Sequence, residues 1–479
     1  MSPNSKTILI AGYYGFGNAG DEAILSAIIS DLRALRSDLN LVVVSGDPAQ
    51  TEAAHGVAGV LWTDIEKIMQ AVAASDLVIL GGGGLFHDYW GFDPDSLLTQ
   101  HHAGIAFFGG IPLLASLLDK PLMMYAVGVG PLFSAVGQAH TRAAFDAAAL
   151  ITVRDPESKA LLESIGVPPD RVHVTADPGF QFQPHIIPLP LPFREGGRGD
   201  RSRPLLAVAL REWNIGVLPD YWERQVAEAL DVFVERHGGA IVFVPFQEGK
   251  GYLQNDAAVA ERVRSGMRNI ERTMMLPENS SVREKAAALS QCDLVLGMRL
   301  HSLIFAVSSA VPAVGLVYDP KVRSVMAAAG IEDYAVDLGA ATAGRLAERM
   351  ETAFAERGAL SARLKESAGS LSESAQENAR LAVALLDGAK PSPATPAMVD
   401  VLKGLALSQT RKRIEQEAQA QMLAAQSAER GQAIADLQAQ SAERGQAVAD
   451  LRVQRAQLEA RADEHARTNA ELQRQIQAE

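Results

Sequence analysis

Short runs of uninterrupted apolar residues alternate with helical patterns from the start of the chain. Such runs are the signature of parallel strands buried on both faces and covered by helices. Strands are predicted at residues 8–11, 41–45, 77–80, 122–127, 151–153 and 172–175, which together make one doubly wound α/β domain over residues 1–185. The stretch 184–204 breaks the pattern with Pro188-Leu189-Pro190-Leu191-Pro192 and with Arg194, Arg198, Arg201 and Arg203. Nothing in it can pack, so residues 186–203 read as a linker with a basic surface. The alternation resumes at 205–210, 240–246, 294–296 and 313–317, predicting a second α/β domain over residues 204–387. Two Rossmann-like halves of this kind face one another across a cleft.

A Pro-rich breaker, Lys390 to Pro396 within residues 388–400, separates these halves from a tail of different character at 401–479. Gln426 to Ala439 recurs as Gln440 to Val453, a repeat of two heptads. With Ile434 and Val448 at position a, the residues Leu437, Leu451, Leu458 and Leu472 fall at d, but Ser427, Arg430, Ser441 and Arg444 occupy the alternate core positions. A half-polar seam predicts a marginal coiled coil or a single extended helix. The tail is expected to serve homo-oligomerisation or docking and to be dispensable for chemistry.

Composition narrows the function classes. The 48% hydrophobic content is ample for real cores, so the chain is not disordered. The tail holds 11 basic and 11 acidic side chains, so the whole net charge of −13 lies before residue 401 and argues against nucleic acid as the partner. One cysteine, Cys292, excludes an internal disulfide and a multi-cysteine metal site. Residues 6–12 already read as a first strand, without an export signal, so a cytoplasmic protein is expected. The longest apolar stretch, 105–118, is interrupted by Gly109, Gly110 and Pro112 and is too short to cross a bilayer. It reads as a packed helix; the alternative is a surface patch, with Phe86, Tyr89, Trp90 and Phe92, that touches a membrane or a second subunit.

The candidate chemistry sits at strand ends. The turn Gly12 to Glu22 is Gly-rich and opens a helix near Asp21; Gly15, Gly17 and Asn18 would bring backbone close to a ligand, and Asp21 would accept hydrogen bonds from sugar hydroxyls. It matches neither the dinucleotide fingerprint nor a Walker loop. Gly81 to Gly84 follow another strand, so Gly83 and Gly84 approach either a ligand or a neighbouring strand; Asp88 is the general-base candidate there, whereas His87 is as readily a solvent-facing residue. Arg154 ends the 151–153 strand, and Arg211 follows the first strand of the second half. Arg299-Leu300-His301 and Tyr318-Asp319-Pro320-Lys321 set two cations beside a titratable imidazole, a toolkit for a small phosphorylated acid. The structural alternatives are a histidine capping a carbonyl and an arginine pairing with an acid.

In order, the motifs Gly15 to Glu22, Gly81 to Asp88, Val127 to Pro131, Arg154-Asp155, Ala176-Asp177-Pro178, Leu210 to Trp213, Arg299 to Ser302 and Tyr318 to Lys321 resemble the polysaccharide pyruvyl transferase family, in its CsaB-type branch. The resemblance spans roughly residues 7–385. It implies a fold like GT-B glycosyltransferases, phosphoenolpyruvate as co-substrate, and a ketal-linked pyruvate on a sugar hydroxyl pair; that scheme demands no other cofactor and no metal, and the sequence offers no clear metal cluster. The implied acceptor is a lipid-linked or nucleotide-linked saccharide, in the CsaB branch a lipid-linked secondary cell wall polymer precursor for S-layer anchoring. A lipid-linked acceptor would bring the protein to the inner face of the cell membrane as a peripheral contact. Carried over, His301, Arg154 and Lys321 fall on donor-handling or catalytic positions with Arg299 beside them, and Arg142 is the alternative to Arg154. His301 would protonate the methylene carbon or partner the leaving phosphate. A nucleotide-sugar glycosyltransferase of cell-envelope polysaccharide synthesis on the same fold is the other reading.

Overall fold

In the computed structural model, which describes residues 5–182, 203–247, 255–388 and 395–476, the apolar runs become the inner strands of two parallel sheets. The first sheet contains β1 (Thr7–Ala11), β2 (Asn40–Ser45), β3 (Ala58–Leu61), β4 (Leu77–Phe86), β5 (Leu122–Val129), β6 (Leu150–Val153) and β7 (Val172–Val174), in the order β3-β2-β1-β4-β5-β6-β7. The second contains β8 (Leu205–Ala209), β9 (Ala240–Phe243), β10 (Thr273–Met275), β11 (Leu294–Gly297), β12 (Ala313–Val317) and β13 (Ala335–Asp337), in the order β10-β9-β8-β11-β12-β13. Each is a doubly wound sheet that reverses direction once, between β1 and β4 and between β8 and β11. Ligands of open α/β sheets bind outside the carboxyl ends of the strands at such a reversal. The inner strands are buried on both faces; Ile8, Leu9, Ile10, Val78 and Leu296 have no exposed surface.

The strands not anticipated, β3, β10 and β13, lie at or next to a sheet edge, where half-exposed residues such as Ala58, Met274 and Asp337 leave no continuous apolar run. The four glycines do not follow a strand but lie within β4, whose pairing with β5 continues through Gly83↔Val127 and Gly84↔Gly128 to Phe86↔Val129, with a register shift before Phe86. The Ile105–Leu117 helix is core, with Phe107 and Phe108 buried, and Phe86 has no exposed surface, so the apolar stretch does not form the surface patch considered above. Among the described residues no helix is long and apolar enough to cross a membrane. Arg194, Arg198 and Arg201 lie outside the described residues, as does most of the linker between the halves. Cys292 is buried.

The halves are tied by a helix that the sequence assigned to the second domain alone. Arg357–Gly388 buries Leu360 and Leu364 in the second core and Ala379, Ala382 and Leu386 in the first. Leu386, 4% exposed, is worth about 1.5–3 kcal/mol relative to exposure. Buried Asn378 accepts from Thr152 Oγ1 at 2.6 Å and from Thr175 Oγ1 at 2.9 Å. Residues 378–386 therefore belong to the first half in space. At the cleft, Ala19 N–H donates to Phe246 O at 2.8 Å, the Gln247 side chain donates to Phe16 O at 2.8 Å, and the Tyr89 hydroxyl donates to Asp319 at 2.7 Å.

The compact body ends at Leu405, a few residues later than the composition break at 400, because Met398 is buried against Leu97, Leu113 and Ala143. Among the described residues, those after Leu405 form a separate unit and continue one helix, Pro396–Ile476. Its repeat residues Ile434, Leu437, Val448 and Leu451 are exposed, and pairs four residues apart such as Arg455–Glu459 at 2.8 Å line its surface. Such pairs add a few tenths of a kcal/mol each.

Candidate active site

Both sheet reversals open onto one cavity of about 760 Å³ in the compact body. It is lined from the first half by Asn18 and Asp21 after β1, by Gly83 and Gly84 in β4, by His87 after it, and by Arg154 after β6. From the second half come Arg211 after β8, Arg299 and His301 after β11, and Lys321 after β12. Residues separated by nearly the whole body thus meet because strand ends, not sequence neighbours, face the cleft.

His301 enters on the first turn of the Leu300–Ser308 helix and is buried. Its Nε2 lies 3.5 Å from Asp177 Oδ1. On its other side stands Gly20, where a Cβ would lie 2.2 Å from His301 Nδ1, so only glycine lets the two halves close around the ring. Asp177, on the turn after β7, also accepts from Arg154 Nη1 at 2.7 Å and from Gly179 N–H at 2.9 Å. Burial alone would raise its pKa, but the nearby His301 and Arg154 charges outweigh it and hold the carboxyl well below the usual range. Asp177 therefore bridges an imidazole of one half to an arginine of the other. Neither role is legible in the sequence, where Asp177 and Gly20 stand inside motifs with no local sign of the histidine they meet.

Asn18 caps the Ala19–Leu35 helix, its side chain accepting from Gly20 N–H at 2.9 Å, so the anion-binding end of that helix is already filled. Gly15 and Gly17 do not line the cavity: both have left-handed φ values, +77° and +71°, and a Cβ on Gly15 would lie 2.0 Å from Ser45 Oγ. They shape the turn, which corrects their expected contact with ligand. Asp21 does line the cavity, and its carboxyl is pushed up to about 6, by burial against the opposing pull of the His301 charge.

The expected general base, Asp88, is corrected. It is buried and outside the cavity lining, and its carboxylate accepts from Phe133 N–H at 2.6 Å, Ser134 N–H at 2.8 Å and Ser134 Oγ at 2.7 Å. It holds the turn before the Ala135–Asp146 helix, and these bonds outweigh burial to lower its pKa. Its neighbour His87 faces the cavity rather than solvent; burial, then the nearby Lys321 charge, pushes it down to about 4. It is neutral at pH 7.

The cations are each oriented by a partner. Arg299, expected as a free anion clamp, holds Asp256 with both arms, Nε at 2.8 Å and Nη2 at 2.5 Å, and both residues are buried. Lys321 Nζ is 3.0 Å from Asp319 and lies over the Tyr318 ring at 5.3 Å. Arg211 donates to the Tyr318 hydroxyl at 2.8 Å, with its guanidinium 4.7 Å from that ring and 5.1 Å from Trp213. Burial raises the Tyr318 pKa, but the Arg211 and Lys321 charges prevail and lower it. Arg142, the alternative to Arg154, is half-exposed on the Ala135–Asp146 helix, 3.5 Å from Asp146 and outside the cavity lining.

The profile of a family described as polysaccharide pyruvyl transferase matches residues 18–320. The amylovoran biosynthesis protein AmsJ of Erwinia amylovora is 23% identical over 381 residues, which cover 69% of this chain and 88% of AmsJ. Among solved structures, MnaA of S. aureus with UDP superposes with a TM-score of 0.52 at 14% identity, over 81% of this chain and 99% of that one. HepE of Anabaena in complex with UDP-glucose gives 0.51 at 12% identity, over 80% and 99%. At that identity the two structures establish the GT-B-like fold and nothing further.

Proposed function

Because the chain belongs to the polysaccharide pyruvyl transferase family, we propose that it transfers the pyruvyl group of phosphoenolpyruvate to two hydroxyls of one sugar, closing a cyclic ketal. The observation that carries this reading is the convergence of His301, Asp21, Arg154 and Lys321 on one cavity, an acid, a base and two cations around a space for a small dianion. Arg154 and Lys321 offset the donor's phosphate and carboxylate charge, with Arg211 alongside. Asp21 takes the proton of the first hydroxyl as its oxygen bonds to C2, and His301 delivers a proton to C3. The C2–O bond to phosphate then breaks with its electron pair on phosphate. The second hydroxyl oxygen bonds to C2, its proton leaving with the phosphate. Asp177 keeps the His301 ring in place.

The acceptor is a saccharide of polysaccharide biosynthesis, in line with the name of the AmsJ relative; a lipid-linked cell wall polymer precursor, as the CsaB-type resemblance suggests, is its finer form. The test is phosphate release from phosphoenolpyruvate with free, nucleotide-linked and lipid-linked saccharides, with mass spectrometry of the product. A pyruvyl ketal on one of them is expected. Silence with every acceptor, together with turnover of a nucleotide sugar, would move the chain to the glycosyltransferase reading.

A base with a pKa near 6 works only when ionised, so kcat/KM for the acceptor should climb about tenfold per pH unit on the acid limb below about pH 6. Asp21→Asn should lose most of the rate and that acid limb. The same shift has a stability sign. A carboxyl whose folded pKa is raised stabilises the protein fully below its unfolded value, and that stability is lost as pH rises through about 6. The Asp21→Asn variant should therefore melt higher than wild type at pH 7.5 and no higher at pH 4. An unchanged pH–rate profile in the variant would remove Asp21 as the base.

A further inference from the structure

The cavity exceeds what the proposed donor occupies, and the surplus is aromatic. Its volume of about 760 Å³ lies in the upper part of the roughly 300–1,000 Å³ that sites for drug-sized ligands span, whereas phosphoenolpyruvate is a three-carbon acid with one phosphate. Two runs of rings line it. In one, Tyr13 stacks on Phe16 with centroids 4.5 Å apart, Phe16 meets Trp62 at 5.2 Å, and Trp62 meets Phe107 at 5.7 Å. In the other, Tyr89 lies 5.8 Å from Trp90 and 5.1 Å from Trp213. Neither run has a part in the chemistry above, and Trp90, 63% exposed, is an unfavourable place for an indole without a ligand.

Resting on the pyruvyl transferase reading, we propose that these walls are a saccharide subsite holding the sugar next to the one that reacts, so that the acceptor is an oligosaccharide. A pyranose has an apolar C–H face that lies flat on a ring and a rim of hydroxyls that must be hydrogen-bonded when buried. The cavity supplies both: among the rings stand Asn18, Asp93, Ser96 and His101. A hydrocarbon tail would leave those polar groups dry and unpaired.

Calorimetric titration of the full chain with ladders of one to four units of glucose, galactose, mannose and N-acetylglucosamine tests this without requiring turnover. At least one ladder should tighten about tenfold from the mono- to the disaccharide, one ring face being covered per added unit. In Trp62→Ala and Trp90→Ala that step should shrink towards one, and the exposure of Trp90 means its variant folds. Four flat ladders, or a step that survives in both variants, overturn the subsite. So does affinity that follows alkyl chain length on a single sugar, which assigns the walls to a lipid, or displacement of the tetrasaccharide by UDP, which assigns them to a nucleotide. Failure of the phosphoenolpyruvate reaction would appear in the phosphate assay alone and leave this measurement standing.

Discussion

His301→Ala lowers kcat by ~10²–10⁴ while the protein remains folded, because a positioned general acid contributes on that order and nothing else in the cavity replaces it at C3. The imidazole is buried between Gly20 and Asp177, but its removal leaves Asp177 bonded to Arg154 and to the Gly179 N–H, so no carboxylate is stranded. The unfolding midpoint in urea should stay near that of wild type. Phosphate release measured at saturating donor and acceptor checks the rate, and activity within a few-fold of wild type in a folded variant would exclude His301 from the mechanism.

Arg299→Ala behaves in the opposite manner and costs stability first. Its two arms hold Asp256, whose Oδ2 also accepts from the Phe246 and Gln247 N–H groups at 3.1 and 2.9 Å. Removing the guanidinium leaves a buried carboxylate without its counter-charge, a loss of about 3–5 kcal/mol for pairs of this kind. The Phe246–Gln247 segment carries two of the contacts between the halves, so the closure of the cleft should loosen with it. A large fall in the urea midpoint is expected. A midpoint unchanged beside a donor KM raised tenfold or more would return Arg299 to the role of a free anion clamp.

The contrast between these two residues marks where the linear chain is informative. Arg299 and His301 are separated only by Leu300 and both line the cavity, and from sequence alone both read as donor groups. What separates them is Asp256, 43 positions before Arg299, and Asp177, more than a hundred before His301. A carboxylate brought from another strand end consumes the arginine and orients the histidine. The role of Asp88 is hidden in the sequence for the same reason: its three donors arrive from Phe133 and Ser134, on a turn that no local pattern places beside it.

The sequence by itself determined the two doubly wound halves, because continuous Val, Ile and Leu runs have no stable place except the inner strands of parallel sheets covered by helices. It also determined the resemblance carried by the strand-end motifs, since strand ends at a sheet reversal are where open α/β folds bind ligands and those residues are contiguous in the chain. Only the tertiary structure decided which titratable groups are engaged and which face the cavity. It likewise made Tyr89, Trp90 and Phe92 part of the cavity wall, and sent the end of the Arg357–Gly388 helix back to the first core. Hydrophobic periodicity is a local signal that each segment carries alone, whereas a pKa, an ion pair or a cavity wall depends on partners tens to hundreds of residues away, which folding alone brings within a few ångströms.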